Sequence, residues 1–522
     1  MQKVTDCKTW MKLDAHYRML SQLSLRQLFA ESPERFNHFS LEAAGIFIDF
    51  SKNWITDQSV DLLCALAIEQ GLPQAIQALF SGEKINFSEC RAASHVALRS
   101  PIQSSFMIDG KNVVDDVQCE LQKMAHIAEQ LEKKALKGLN GKTIDTILHI
   151  GIGGSDLGSA LYYRAMEKYP KNAVCYFLTE FDFAVIQAKL ALCNPDTTIV
   201  VVASKSFKTQ ETLTIFESVK SWMGAEKVSS QCYAVTANTD IANTRGFSQD
   251  RILKIWDWVG GRYSVWSAVN FSMVLVYGID HFSKFLHGAH QMDLHFQQAP
   301  LKNNLPVMMG LLSVWYNNFF HAHTQAIVPY SARLAIMPAY LQQLHMESLG
   351  KTVTIHGEKI NYATGRVIWG DIGPNSQHSF HQLLMQGSHM IPVDFILPLK
   401  DGELNDYDLK RAAYCLSQSQ TLMQGFEATN TVQAIDGNRP STTILIDEMT
   451  PETLGALMAL YEHKVFVQSV IWHINAFDQW GVERGKQISD VLMQSMTSEI
   501  VTEQFDASTA GLLERITRRF QS

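Results

Sequence analysis

The sequence predicts an α/β protein of at least two domains, each built on a mainly parallel sheet between helices. Short apolar runs such as 173–178, 197–203 and 232–236 alternate with helical segments. Continuous apolar strands separated by helices are typical of a parallel sheet that is buried on both faces. Residues 285–522 repeat the alternation, and a chain of 522 residues is too long for one hydrophobic core.

The same patterns divide the chain into three segments. Residues 1–120 are mainly helical with one short strand at 45–50, and we expect them to pack on the larger domain. Residues 121–284 form a small domain, and residues 285–522 form a large domain with a helical tail. In the first segment, Lys52, Lys84, Arg91 and Arg99 are all compatible with ordinary surface charges.

Composition excludes several classes of partner. The net charge of −8 shows no basic excess, which argues against nucleic acid. The N-terminus is charged from Lys3 onward, and no apolar run reaches the roughly eighteen residues of a membrane span. The eight cysteines are scattered without a CxxC pair, as is typical of reduced core thiols. We therefore expect a cytoplasmic protein that binds no membrane and no metal.

A glycine-rich turn within residues 147–161 organises the small domain. Gly151, Gly153 and Gly154 follow an apolar strand and precede a helix that Ser155 and Asp156 are suited to cap. Free N–H groups and a helix N-terminus form an anion-binding site that suits phosphate. A dinucleotide fingerprint would require glycine where Asp156 stands, and a plain strand-to-helix turn is the other alternative.

The next strand ends in a polar loop at residues 204–212. Hydroxyls of Ser204, Ser206 and Thr209 can donate to phosphate oxygens, and Lys205 or Lys208 can supply charge. A capped helix with a polar first turn would explain the same residues without a ligand. Because ligands of parallel sheets lie beyond the carboxyl ends of the strands, we favour a phosphate site at this edge.

Three further residues have side chains suited to catalysis. Arg262 follows a glycine pair and can neutralise developing negative charge, or can form a structural salt bridge. Glu347 ends a helix predicted at 332–348, where a carboxylate is locally unfavourable and can instead face a ligand, unless it is an ordinary solvated residue. His378 lies near the start of another helix and can act as acid or base.

Taken together, these stretches resemble the phosphoglucose isomerase family. The matching segments are Gly151–Gly158, Ser204–Thr212, Gly260–Ser264, Gln343–Ser348, Gln377–His378 and Phe477–Glu483 with Lys486. Residues 82–86 and 91–99 also look like family segments, so that the resemblance covers nearly the whole chain.

The resemblance implies two sugar-isomerase (SIS) domains in a homodimer that needs no cofactor and no metal. It implies a sugar-phosphate site formed by Gly154, Ser155, Ser204, Lys205, Ser206 and Thr209, with Gln479 and Arg262 also contacting the substrate. It assigns Glu347 to proton transfer between C2 and C1, and His378 and Lys486 to ring opening. His378 is expected to come from the partner subunit.

The implied reaction converts glucose 6-phosphate to fructose 6-phosphate, as in glycolysis and gluconeogenesis, and it explains these residue types. One carboxylate can remove the C2 proton and return it to C1. The intermediate enediolate requires a fixed positive charge, which Arg262 can provide. Two alternatives remain: a non-catalytic sugar-phosphate regulator, which would not need Glu347, His378 and Lys486 together, and an isomerase that also accepts mannose 6-phosphate.

The sequence departs from the usual family pattern in five places. Leu349 stands where asparagine is usual, Pro374 and Ser376 replace threonine and glycine, Lys208 replaces threonine, and Asn270 replaces glycine. None of these changes removes a proposed catalytic group. Pro374 can alter the loop that carries His378, and Lys208 adds charge beside the phosphate.

Overall fold

A computed structural model describes residues 3–400, 402–497 and 505–521. The chain forms two compact units, Met1–Ala476 and Phe477–Ser522. The first unit contains both large sheets. The second contains two helices of its own, described below.

From residue 3 to residue 112, the N-terminal segment contains five α-helices and two hairpins. Ala44 and Gly45, both with positive φ, connect the strands of the first hairpin in the turn geometry that suits strand twist. The elements in chain order are α1 (Lys8–Leu20), α2 (Leu25–Glu31), α3 (Arg35–His38), β1 (Ser40–Ala43), β2 (Ile46–Asp49), α4 (Asp57–Glu69), α5 (Leu72–Ser81), β3 (Met107–Ile108) and β4 (Lys111–Asn112).

The first large sheet is parallel throughout. Its strands are fully buried at its centre, which explains why they appear in the sequence as unbroken apolar runs. The strand order is β6-β5-β7-β8-β9. The elements are α6 (Val114–Glu132), β5 (Thr146–Ile150), α7 (Leu157–Ala165), β6 (Val174–Leu178), α8 (Phe183–Leu190), β7 (Thr198–Ala203), α9 (Gln210–Met223), α10 (Ala225–Gln231), β8 (Cys232–Thr236), α11 (Thr239–Thr244) and β9 (Ile252–Lys254).

The second large sheet is mixed, with strand order β1-β2-β13-β12-β10-β11. Its four later strands are parallel, and the N-terminal hairpin joins the edge because β2 pairs antiparallel with β13. The predicted strand at 45–50 is confirmed, although the sequence did not indicate its partner. The elements are α12 (Phe271–Tyr277), α13 (Ile279–Gln298), α14 (Leu305–Asn318), β10 (Thr324–Pro329), α15 (Met337–Leu341), β11 (Val367–Gly370), α16 (Gly373–Gln377), α17 (His381–Gln386), β12 (Val393–Lys400), α18 (Asp406–Gln424), β13 (Ser441–Glu448) and α19 (Pro451–Ile471).

The longest of these helices, α19, is buried along almost its whole length. A helix that is apolar on every side is stable only inside a core, and α19 packs mainly on α13 and α14. Helix α13 runs without interruption through residue 284, where the sequence suggested a domain boundary. The three-segment division of the chain stays a prediction.

A buried ionic cluster connects the N-terminal segment to these helices. The side chain of Arg99 donates to both carboxylate oxygens of Asp293, at 2.7 and 2.6 Å, and to Glu462 at 2.7 Å. Burial by itself raises the pKa of Asp293. Arg99 and His463 have the larger, opposite effect and lower this pKa to about 2. The reading of Arg99 as a surface charge is therefore wrong, because its guanidinium is completely buried.

The second unit contains α20 (Trp480–Thr497) and α21 (Ala507–Gln521). Across the described ranges, no single helix is long and apolar enough to cross a membrane, although α4 and α5, bent by 56°, meet the length and hydropathy requirements as a pair. Five of the eight cysteines are buried, whereas Cys90 and Cys119 are exposed and Cys193 is half-buried.

Candidate active site

The glycine-rich turn follows β5 at the carboxyl edge of the first sheet. Residues Gly153–Ser155 form a short 3-10 turn, with Gly153 at φ +59°. Within the described chain, the backbone N–H groups of Gly153 and Gly154 donate to no protein acceptor. Backbone amides without an acceptor at the start of a helix are the donors that an anion-binding site requires.

A buried histidine holds this turn in place. His149, the last but one residue of β5, has one ring nitrogen 2.7 Å from the carbonyl oxygen of Ser155 and the other 2.8 Å from the hydroxyl of Ser272. Burial lowers the pKa of His149 to about 4, so that the ring is neutral and Nε2 donates to the carbonyl. The sequence did not single out His149.

The expected capping of α7 is wrong. The side chain of Asp156, the N-cap residue, makes no capping hydrogen bond, and its Oδ1 is buried without a partner in the described chain. Burial, followed by the charge of Glu180, raises the pKa of Asp156 to about 7. A partly neutral carboxyl group opposes a nearby phosphate less than a carboxylate would.

Gly154 packs directly against the loop that carries Arg262. A Cβ at position 154 would overlap the carbonyl group of Gly261 and lie 2.7 Å from the backbone nitrogen of Arg262. The hydroxyl of Ser264 bonds to the carbonyl oxygens of Gly154 and Gly261, at 3.2 and 2.6 Å. The two loops therefore form one rigid surface.

Gly154→Ala is expected to lower kcat/KM for the sugar phosphate by about 100-fold, because displacement by about 1 Å at a site has effects of that size. The added methyl group would push the phosphate loop away from the Arg262 loop. Steady-state kinetics measures the change. Gly511→Ala, at an open and exposed position, is the control, and equal losses in the two variants would contradict the assignment.

The second polar loop lies at the same edge of the sheet. Strands β5 and β7 pair in parallel. The residues that follow them, Gly151 and Ser204, therefore lie at the carboxyl ends of neighbouring strands. The hydroxyls of Ser204 and Thr209 are 3.2 Å apart, and those of Ser206 and Thr209 are at least partly exposed. The structure thus brings the two predicted phosphate loops to one edge.

The loop conformation directs backbone amides outward. Phe207 adopts φ +52°, an uncommon conformation for a residue with a side chain, and its ring is fully buried beside Phe247. The N–H groups of Lys205 and Ser206 donate to no protein acceptor in the described residues. They are therefore available to an anion.

The side chain of Lys205 has a different role from the one expected. Its ammonium group donates to the carbonyl oxygens of Asp257 and Val259, at 3.0 and 2.8 Å, and burial lowers its pKa. The group fastens the phosphate loop to the segment that precedes Arg262. Lys208, by contrast, is exposed.

Arg262 and Glu347 meet although 84 residues separate them. Arg262 Nη1 lies 3.5 Å from Glu347 Oε1, with the arginine side chain 2% and the glutamate side chain 22% exposed. This distance is longer than a normal hydrogen bond, so that the carboxylate is paired electrostatically and still accessible. Gln343, one turn earlier, lies 3.0 Å from the Cβ position of Gly153.

The predicted helix at 332–348 is irregular. It consists of a 3-10 turn at Ala332–Leu334, α15, and a π-helix at Gln342–Glu347. Single π turns occur frequently at functional sites because they redirect side chains. Lys351 then donates to the carbonyl oxygens of Glu347 and Ser348, at 2.9 and 3.0 Å, which stabilises this helix end.

Ser348 and Ala476 hold the guanidinium of Arg262. Arg262 Nε donates to Ser348 Oγ at 2.7 Å, and Nη2 donates to the carbonyl oxygen of Ala476 at 2.5 Å. The hydroxyl of Tyr263 lies 3.0 Å from Ser348 Oγ. These contacts fix the orientation of the guanidinium.

Ser348→Ala is expected to destabilise the protein by about 1–3 kcal/mol, because the buried Nε of Arg262 loses its acceptor. Thermal unfolding measures the loss, and kcat should fall as Arg262 loses its fixed orientation. The control is Ser229→Ala, which removes an exposed hydroxyl bonded only to a helix carbonyl. A variant with unchanged Tm and kcat would exclude Ser348 as a support for Arg262.

Comparison with known proteins identifies the family. A profile described as "Phosphoglucose isomerase" matches residues 49–513. The chain belongs to the phosphoglucose isomerase family. The glucose-6-phosphate isomerase of Coxiella burnetii (strain RSA 493 / Nine Mile phase I) is 43% identical, with 97% of each chain covered. That of Shewanella halifaxensis (strain HAW-EB4) is 43% identical, with 98% of each covered.

Solved structures agree with this assignment. The crystal structure of a glucose-6-phosphate isomerase from Chlamydia trachomatis D/UW-3/Cx superposes with a TM-score of 0.89 at 29% identity, covering 99% of each chain. A hypothetical protein from Thermus thermophilus shares the fold, with a TM-score of 0.66 at 22% identity over 83% of this chain and 96% of that one.

The remaining predicted site residues are His378, Gln479 and Lys486. His378 is exposed at the C-terminal end of α16, and no hydrogen bond or ion pair in the described chain joins it to Glu347. Gln479 and Lys486 belong to the second unit, where the ammonium of Lys486 lies 3.0 Å from a carboxylate oxygen of Glu483. The roles of these three residues stay predictions.

The departures from the usual family pattern fit locally. Pro374 occupies the first turn of α16, where a missing N–H costs nothing. The buried hydroxyl of Ser376 donates to the carbonyl oxygen of Gly373 at 2.7 Å and lies 3.0 Å from His381 Nε2. Leu349 is completely buried. Asn270 is the exception: it is buried, its side-chain amide has no partner among the described residues, and nothing in the structure explains the substitution.

Proposed function

We propose that this chain interconverts D-glucose 6-phosphate and D-fructose 6-phosphate as a glucose-6-phosphate isomerase of glycolysis and gluconeogenesis. The observation that carries the proposal is the accessible Glu347 carboxylate 3.5 Å from a buried arginine, on a surface bordered by the glycine-rich phosphate loop. The proposal is supported by membership of the phosphoglucose isomerase family and by a relative named glucose-6-phosphate isomerase that is 43% identical over 97% of each chain. A pathway in the cytoplasm implies a cytoplasmic location.

The phosphate is the anchor of the substrate. Open amides of Gly153, Gly154, Lys205 and Ser206 can donate to its oxygens, together with the hydroxyls of Ser155, Ser204, Ser206 and Thr209. Hydrogen bonds to a phosphate dianion are strong because they are charge-assisted. Binding energy at this remote group offsets the cost of positioning the open sugar chain.

Proton transfer follows at the other end of the sugar. Glu347 removes the hydrogen on C2 as a proton and returns it to C1, and the C–O groups shift between carbonyl and hydroxyl through an enediolate. Arg262 lies beside the carboxylate and stabilises the negative charge of the intermediate. Because the guanidinium is held by Ser348 and Ala476, little reorganisation is needed during reaction.

Ring opening requires a separate acid and base. His378 and Lys486 are assigned to this step through the family resemblance, and Gln479 is assigned to substrate contact. The exposure of His378 suits a residue that serves the site of a second subunit. We therefore infer a homodimer in which His378 crosses the interface.

The activity is tested by coupled assay with fructose 6-phosphate, with mannose 6-phosphate in parallel. Oxidation of the glucose 6-phosphate formed is expected with fructose 6-phosphate. Product from mannose 6-phosphate would extend the substrate range. A folded dimer that binds hexose phosphates without converting either one would instead support a sugar-phosphate regulator.

A mixture of Glu347→Gln and His378→Ala subunits tests the shared site. If His378 acts across the interface, each mixed dimer contains one site with both residues intact, and the mixture is expected to recover about a quarter of wild-type activity from two inactive parents. Co-expression with two affinity tags measures this. Mixed dimers without activity would place His378 in the site of its own subunit.

A further inference from the structure

A small cavity lies within the second sheet region, among α14, α19 and three strands. Its volume is about 20 Å³, enough for a single water-sized species, which requires roughly 10–15 Å³. It is lined mainly by polar side chains, all of them buried. The polar lining residues are Asn53, Ser313, Tyr316, Gln325, Arg366, Asp394, Thr442 and Lys464.

Arg366 faces this cavity with unused donors. Its Nη2 donates to Ser313 Oγ at 2.9 Å and to Gln325 Oε1 at 2.7 Å. Its Nε and Nη1 have no protein acceptor in the described chain, and the residue is only 2% exposed. Buried unpaired donors on a charged group are costly, so that these N–H groups require an acceptor that the described residues do not supply.

The charges around the cavity do not balance. Burial lowers the pKa of Arg366 only to about 10, so its guanidinium stays charged. Burial also lowers the pKa of Lys464, but this group is paired with Asp394, and the pair has no net charge whichever partner holds the proton. Among the described residues of the lining, Asp394 is the one carboxylate. Its Oδ2 is already 3.2 Å from the ammonium of Lys464 and 3.1 Å from the hydroxyl of Tyr461.

The neighbouring titratable groups do not supply the missing charge. Burial raises the pKa of Tyr316 well above neutrality, so its phenol stays protonated. Burial, and then the charges of Lys464 and Arg366, lower the pKa of His345 far below its usual value, which leaves the ring neutral. Arg35, beyond Tyr316, faces Asp49. The cavity wall therefore carries an excess of one positive charge.

We propose that this cavity binds one monatomic monovalent anion, a halide such as chloride, through Arg366 Nε and Nη1. Water fits the volume but leaves the positive charge uncompensated, and phosphate and carboxylates are too large. Ser313 Oγ accepts from Arg366, so that its own hydrogen can also point to the anion. The ion links Arg366, which directly precedes β11, to Ser313 of α14 and stabilises the fold independently of the isomerase activity.

Bromide gives the direct test, because it scatters anomalously. Crystals of the full chain soaked in sodium bromide are expected to show an anomalous peak in contact with Arg366 Nε and Nη1. Bromide at surface sites only, as an adventitious ion, with a water or an empty cavity beside Arg366, would overturn the proposal.

Thermal unfolding gives the test in solution. At constant ionic strength, chloride in place of gluconate is expected to raise Tm by roughly 3 °C when its concentration is 100-fold above Kd. Arg366→Met should remove this dependence, whereas Arg91→Met, at an exposed arginine, should keep it. An equal response in both variants would overturn the assignment. If Arg366→Met does not fold, the bromide crystal decides.

Discussion

Glu347→Gln is expected to lower kcat by about 1,000-fold or more, because the amide cannot accept the proton from C2. Exchange of the C2 hydrogen with solvent should fall in parallel. Binding of the sugar phosphate should persist, since the phosphate loops are unchanged. The value of kcat is measured by steady-state kinetics and the C2 exchange by deuterium exchange followed by NMR. Binding is measured by calorimetric titration.

Glu358→Gln provides the matched control for this change. Glu358 is exposed and undergoes the same chemical substitution away from Arg262, so its kcat should equal that of the wild type. Near-normal C2 exchange in Glu347→Gln would remove Glu347 from the proton-transfer role. A loss of binding with unchanged kcat would make it a substrate contact only.

Arg262→Lys is expected to reduce kcat by about 100-fold to 1,000-fold with a smaller change in KM. Lysine keeps the positive charge, but its single ammonium cannot bond to Ser348 and Ala476 and also face Glu347, as the guanidinium does. The charge beside the enediolate would therefore lose its fixed position. Steady-state kinetics in both reaction directions measures the effect.

Arg439→Lys tests whether the effect is specific to this site. Arg439 also bridges two backbone carbonyls, those of His389 and Gly387, but it has no proposed catalytic role. Its kcat should be unchanged even if its Tm falls. If Arg262→Lys loses only stability and keeps its kcat, Arg262 serves only to form a structural salt bridge. This is the alternative that the sequence left open.

The strands of the first sheet could be predicted closely from the sequence. The run at 232–236 coincides with β8, and those at 173–178 and 197–203 begin one residue before β6 and β7. Each of these strands is an apolar run between polar turns, and β7 and β8 are buried throughout. Local pattern therefore carries most of the information about them.

Helices were predicted less accurately where backbone details interrupt the apolar pattern. The apolar pattern at 60–79 predicts a single helix, but this segment divides into α4 and α5 at Gly71, which has φ +75°. The charged helical pattern at 121–139 predicts a helix there, whereas α6 begins at Val114 and ends at Glu132. The helix at 332–348 changes to π geometry before Glu347, which periodicity along one face does not reveal.

By itself, the sequence determined the chemical groups and their order along the chain: a glycine-rich turn, a hydroxyl-rich loop, Arg262 and Glu347. Only the tertiary structure decided that Arg262 pairs with Glu347, that Arg99 is buried against two carboxylates, and that Lys205 binds carbonyls. Each of these outcomes depends on contacts between segments far apart in the chain. Periodicity reports the environment of one segment, whereas burial and charge pairing depend on which segments the fold brings together.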